Sequence, residues 1–111
     1  LNIEIEVPIR ADVTLNSRLH WAEKARKVRD QRHATGWMLK QHKAPGLPAV
    51  VTLTRIGPRR LDGDNCQGAL KGPRDAVADW LGVDDKDERI DWRYEQVTGR
   101  YAVRITVEAA A

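Results

Sequence analysis

Cysteine is nearly missing: Cys66 is the only one in 111 residues. A lone thiol excludes an internal disulfide framework and any thiolate zinc cluster. Such a residue most often behaves as a small buried apolar group. The three histidines, His20, His33 and His42, lie too far apart to form a local ligand motif, and read as surface or nucleic-acid-contacting residues. No apolar run approaches the roughly 18 residues that a membrane-spanning helix needs. The start, LNIEIEVPIR, alternates in polarity and lacks the basic flank and solid apolar stretch of an export signal, so a reducing cytoplasm is expected. Internal repeats, low-complexity tracts and linkers are also lacking, and the length suits one domain over 1–111 with a single modest core.

What is present is charge, unevenly spread. Residues 1–61 hold 12 Lys/Arg against 5 Asp/Glu, and residues 62–111 hold 7 against 11. A basic half joined to an acidic half fits a protein that grips a polyanion and holds metal ions beside it; it fits equally two solvated surfaces that differ in sign.

Polarity patterns give the elements. NIEIEVPI puts Ile3, Ile5 and Val7 on one side of a strand. Asn16 or Ser17 suits the cap of a helix running from Arg18 to about His42, with Trp21, Ala25, Val28, Trp37, Met38 and Leu39 as an imperfect apolar stripe. Its polar side is basic, with Lys24, Arg26, Lys27, Arg29 and Arg32. APGLP ends that helix, and AVVTLTRIG reads as an interior strand. A second helix follows, with Ala69, Leu70, Ala76, Val77, Trp80 and Leu81 at helical spacing and Gly82 just past its end. Trp80 reads as core. WRYEQVTG and RYAVRITVEA read as a strand pair joined at Thr98-Gly99. The order β-α-β-α-β-β predicts an α+β domain, a small mixed sheet with two main helices, in which the first and second strands run parallel.

Chemistry concentrates in RRLDGDNCQGALK, residues 59–71. Residues two apart share a side only in extended chain, so Asp62 and Asp64 after a strand are expected to converge. Two adjacent carboxylates repel unless a cation, a proton or an arginine intervenes. Mg²⁺ relieves that repulsion through oxygen ligands while keeping waters and substrate phosphate. An EF-hand is excluded, because Cys66, Gln67 and Pro73 stand where it wants an oxygen ligand, a glycine and a glutamate. The structural alternative is that Asp64 or Asn65 caps the next helix. Lys71 projects to a similar side nearly two turns on, where its ammonium can offset charge at phosphorus or simply pair with Asp75. Asp84, Asp85, Asp87, Glu88 and Asp91 form a further acidic loop, which is solvated in the plain reading and closes a metal cage in the functional one.

The run RRLDGDNCQGALKGPRDAVADWLGVDDKDERIDWRY, residues 59–94, resembles the RusA-type Holliday-junction resolvases of phages and prophages, with weaker similarity in LNSRLHWAEKAR at 15–26. The resemblance implies a RusA-like fold and a dimeric, magnesium-dependent endonuclease with one or two Mg²⁺ ions per site. It would resolve four-way DNA junctions by paired symmetric nicks in recombination and repair, inside a bacterial host cell. It implies that Asp62, Asp64 and Asp85 bind metal and that Lys71 is the catalytic lysine. Arg59, Arg60, Lys24, Lys27 and Arg18 are then the expected contacts to the DNA backbone. Two departures stand out. The interval from Asn65 to Lys71 is long for the family, and Pro73 removes the helical bond to Ala69, so that the helix must kink or restart there. A non-catalytic DNA-binding or phage regulatory module is the alternative, and an acid-surfaced interaction domain a third reading.

Overall fold

The computed structural model describes residues 2–14 and 20–110. Four strands form one mixed sheet: β1 (Asn2–Val7), β2 (Ala49–Gly57), β3 (Ile90–Thr98) and β4 (Ala102–Ala109), in the order β1-β4-β2-β3. β4 runs antiparallel to both β1 and β2, while β2 and β3 pair in parallel. The domain is α+β, as the element pattern predicts. The first two strands run in the same direction but do not touch, because β4 lies between them.

The expected pair at Thr98-Gly99 is corrected. β3 and β4 flank β2, and the connection passes over the end of β2, where Gly99 N–H donates to Gly57 O at 3.0 Å. Gly99 permits this close pass, since a Cβ there would lie 3.1 Å from Ile56 Cγ2. Hairpin signals are local, whereas β2 is the most apolar strand and takes the interior position between them.

Three helices cover one side of the sheet: α1 (Trp21–Leu39), α2 (Gly63–Ala69) and α3 (Lys71–Leu81). Asn16 and Ser17 lie outside the described residues. His20 Nδ1 accepts from Ala22 N–H at 3.2 Å and caps α1. The predicted stripe of α1 is corrected as well: Trp21 and Trp37 stand in solvent, and the buried residues are Gln31, Thr35 and Leu39. Polar groups are tolerated there because each is satisfied. Gln31 Nε2 donates to Arg10 O at 2.9 Å, and Thr35 Oγ1 donates to Gln31 O at 2.7 Å.

The second predicted helix is two. α2 ends at Leu70 and α3 restarts at Lys71, which puts Pro73 in a first turn where no helical acceptor awaits its missing N–H. Gly72 lets α3 cross α1 closely: a Cβ there would sit 2.8 Å from Val28 O and 2.9 Å from Gln31 Cβ. Gly82 closes α3 in the left-handed conformation, φ 77°. Leu39, Val51, Leu53, Leu70, Val77, Val103, Ile105 and Val107 fill the core between helices and sheet. Among the described residues, no helix is long and apolar enough to cross a membrane.

Candidate active-site cleft

β2 delivers the chain to the loop carrying Arg59 to Asp62, and two long-range contacts hold that loop. Arg55 is buried near the end of β2; its Nη1 donates to Arg59 O at 2.7 Å and its Nε to Ala11 O at 2.7 Å. Gln96, on the parallel neighbour β3, clamps both backbone groups of Leu61: its Oε1 accepts from Leu61 N–H at 2.8 Å and its Nε2 donates to Leu61 O at 2.7 Å. Asp62 is therefore held one residue away from a fixed peptide.

From Asp62 the chain enters α2. Asp62 itself is the N-cap, its Oδ1 accepting from Asn65 N–H at 3.1 Å. The cap expected at Asp64 or Asn65 thus falls on the first aspartate. Asp64 stands exposed in the first turn, where the helix dipole favours a negative charge. Arg60, Asp62, Gln67, Tyr94 and Gln96 line a cleft of about 510 Å³ that also reaches Cys66. Burial pushes the Cys66 thiol up from its ordinary range, and the charges of Arg55 and Arg60 partly oppose this.

The remaining predicted residues are placed differently. Lys71 Nζ meets Asp75 Oδ2 at 3.2 Å, the i, i+4 pair that the sequence offers as its plain alternative; at 63% side-chain exposure such a pair contributes little. Asp85 is engaged by Arg74, whose Nε donates to Asp85 Oδ2 at 3.1 Å and whose Nη2 donates to Asp85 O at 3.1 Å. Arg74 also donates to the Tyr94 hydroxyl and stacks 4.7 Å from the Trp92 ring. Asp85 is thereby linked to a wall of the cleft through Arg74 and Tyr94.

The other acids of the loop have local tasks. Asp84 Oδ1 accepts from Lys86 N–H at 2.8 Å, and that bond leads the effects that lower its pKa. Asp87 accepts from the Arg89 side chain and backbone, which hold its carboxyl at about 2. Asp91 pairs with Arg93 at 3.0 Å.

Magnesium is tested by this donor set. Asp62 and Asp64 are hard oxygen donors on one short segment, and Mg²⁺ commonly takes only one or two carboxylates plus waters and phosphate. Asp62 fits by its chemistry and its place on the cleft wall, whereas Asp64, expected to share a side with it on extended chain, sits instead in the first turn of α2 and outside the cleft lining. A third carboxylate does not join them: among the described residues no three acidic, histidine or cysteine side chains are grouped to hold an ion, and Asp85 Oδ2 is taken by Arg74.

Of the expected DNA contacts, Arg59 and Arg60 are exposed beside the cleft. Lys24 and Lys27 lie on α1, away from the cleft lining, with Lys24 half-buried; Arg18 lies outside the described residues. Sequence reasoning missed Arg55, Arg74, Tyr94 and Gln96. Strand periodicity offered a signal for two of them, since Trp92, Tyr94 and Gln96 alternate onto one side of β3.

Neither a protein-family model nor a curated protein matches the chain.

Proposed function

We propose that the chain is a magnesium-dependent endodeoxyribonuclease acting on four-way DNA junctions, with its reaction centre at the cleft that Asp62 lines, and with Asp64 two residues on in the first turn of α2. One observation carries the reading: two exposed arginines and two carboxylates occupy six consecutive residues, a loop running into the first turn of α2, whose loop part Gln96 and Arg55 fix to the sheet. The resemblance of residues 59–94 to junction resolvases supports it and supplies the substrate class.

In this reading Arg59 and Arg60 take phosphate oxygens and orient the scissile strand. Asp62 and Asp64 would hold the ion, which when bound supplies Lewis-acid polarisation and a water of lowered pKa. Lys71, free to leave its weak pair with Asp75, balances charge developing at phosphorus. The role proposed for Asp85 requires Arg74 to release its Oδ2. Two symmetric nicks call for two sites, which a two-fold homodimer provides.

Asp64→Asn tests this with a synthetic four-way junction, Mg²⁺ and an EDTA control. Loss of a residue that merely supports a metal ligand costs 10- to 100-fold, so loss of a ligand should lower cleavage by about 100-fold or more, with junction binding retained. Cutting by Asp64→Asn at the normal rate, or cutting by the wild type in EDTA, overturns the proposal.

A second reading has its own support. Asp62 is a helix cap and the 84–91 aspartates have turn and ion-pair partners, so every one of those carboxylates has a structural task in a non-catalytic DNA-binding module. That module binds the junction equally with and without Mg²⁺ and never cuts it.

A further inference from the structure

Between α1 and α3, with no lining residue shared with the cleft, lies a groove of about 660 Å³ lined by Arg32, His33, Trp37, Lys40, Asp79 and Trp80. We infer that this groove binds an unpaired stretch of DNA, with a base stacked on Trp37. The inference rests on the reading above only for the choice of polymer.

Three observations support it. Trp37 is 68% exposed, whereas tryptophan is ordinarily largely buried. Its neighbours are fixed rather than loose: Trp80 Nε1 donates to His42 O at 3.1 Å, and Arg32 is held by Asp79 through two bonds of 2.7 Å each. A rigid aromatic and a flat guanidinium are the surfaces on which unstacked bases rest.

Gly36 supplies the second observation. It lies inside α1 and on the groove, yet a Cβ there would meet nothing within 4 Å. A glycine in a helix interior costs about 1 kcal/mol relative to alanine, and packing gives no reason for it here. The helix backbone at this point is open to whatever enters the groove.

The third is charge. Asp79 pairs with Arg32, which leaves Lys40 as the unpaired charge among the lining side chains, so the groove itself carries a net positive charge that favours an anion. Stacking with a cationic surround is the pattern of sequence-tolerant single-strand binding. Duplex DNA keeps its bases stacked inside and offers Trp37 nothing to stack on.

The test is a titration of a fluorescein-labelled thymidine oligonucleotide with the full chain, without metal, following anisotropy and tryptophan emission. Wild type should bind with quenching. Trp37→Ala should bind roughly 5- to 150-fold more weakly, the equivalent of one lost stack, with an unchanged salt slope. Trp37→Phe should recover most of the affinity. Because the ring is exposed, thermal melting should be unaltered, which separates lost stacking from lost folding. Equal affinity in Trp37→Ala overturns the inference, and so does a Trp37→Ala that instead abolishes self-association of the chain. If the wild type fails to cut junctions while Trp37 still governs this binding, the nuclease proposal falls and the groove stands.

Discussion

Gln96 and Asp62 are one residue's work apart: the amide of one grips both backbone groups of Leu61, and the carboxylate of the other starts α2 from that fixed point. Asp62 thus caps with Oδ1 while its other oxygen faces no such duty, which is how a cap and a metal ligand coexist on a single side chain. Asp87 has no such double role. Arg89 donates to it from side chain and backbone, and its pKa falls from the ordinary 3.8 to about 2. A carboxyl depressed in the folded state contributes stability above its unfolded value and loses it as pH falls through the folded one. For Asp87 that window runs from about 3.8 down to about 2. Carboxyl carbon NMR on the native protein should give an Asp87 midpoint near 2, and Arg89→Ala should return it toward 3.8. An ordinary midpoint in the wild type removes the turn-and-ion-pair account of this loop.

At the scale of elements, strands were legible where apolar residues alternate or run unbroken, as in Ile3, Ile5 and Val7 of β1 and the interior β2. The left-handed stop at Gly82 was legible too. What failed was whatever depends on a distant partner. α1 buries Gln31 and Thr35 because Arg10 O and the helix's own backbone accept their hydrogen bonds, while Trp21 and Trp37 stay outside, so of the apolar stripe only its end, Leu39 with Met38 beside it, packs on the core. The break at Leu70 followed from Pro73, and the reason for Gly72 emerges only once α1 is packed against it. Gly72→Ala should gain less than about 1 kcal/mol of helix propensity in a first turn. It would lose roughly 1 to 3 kcal/mol to overpacking, because the obstacle is the Val28 carbonyl, which cannot move without α1. The steric cost wins. Calorimetry should show a melting temperature lower by about 4 °C or more per net kcal/mol, and an unchanged or raised value contradicts the close crossing.

Across the whole molecule, the division into a basic and an acidic half does not become two opposed faces. Arg59, Arg60, Asp62 and Asp64 are neighbours in the chain, and that part of the candidate site was legible for this reason. The walls contributed by Tyr94 and Gln96, and the engagement of Asp85 by Arg74, depend on β3 pairing in parallel beside β2, which no local pattern encodes. The acidic half is largely consumed in turns and ion pairs, leaving the basic half to face a polyanion. Each phosphate contact on duplex DNA steepens the dependence of log K on log salt by about 0.9. If Arg59, Arg60, Lys24 and Lys27 each neutralise one phosphate, the slope is about −3.6, and junction affinity should fall roughly 150-fold between 50 and 200 mM salt. Replacing Arg59 and Arg60 with Gln should flatten the slope by about 1.8, and replacing Lys24 and Lys27 should do the same if α1 shares the footprint. Since the lysines lie outside the cleft lining, the two double variants measure separate parts of the surface. A slope near zero in the wild type removes the electrostatic grip altogether; a slope altered only by the arginines confines the DNA path to the cleft.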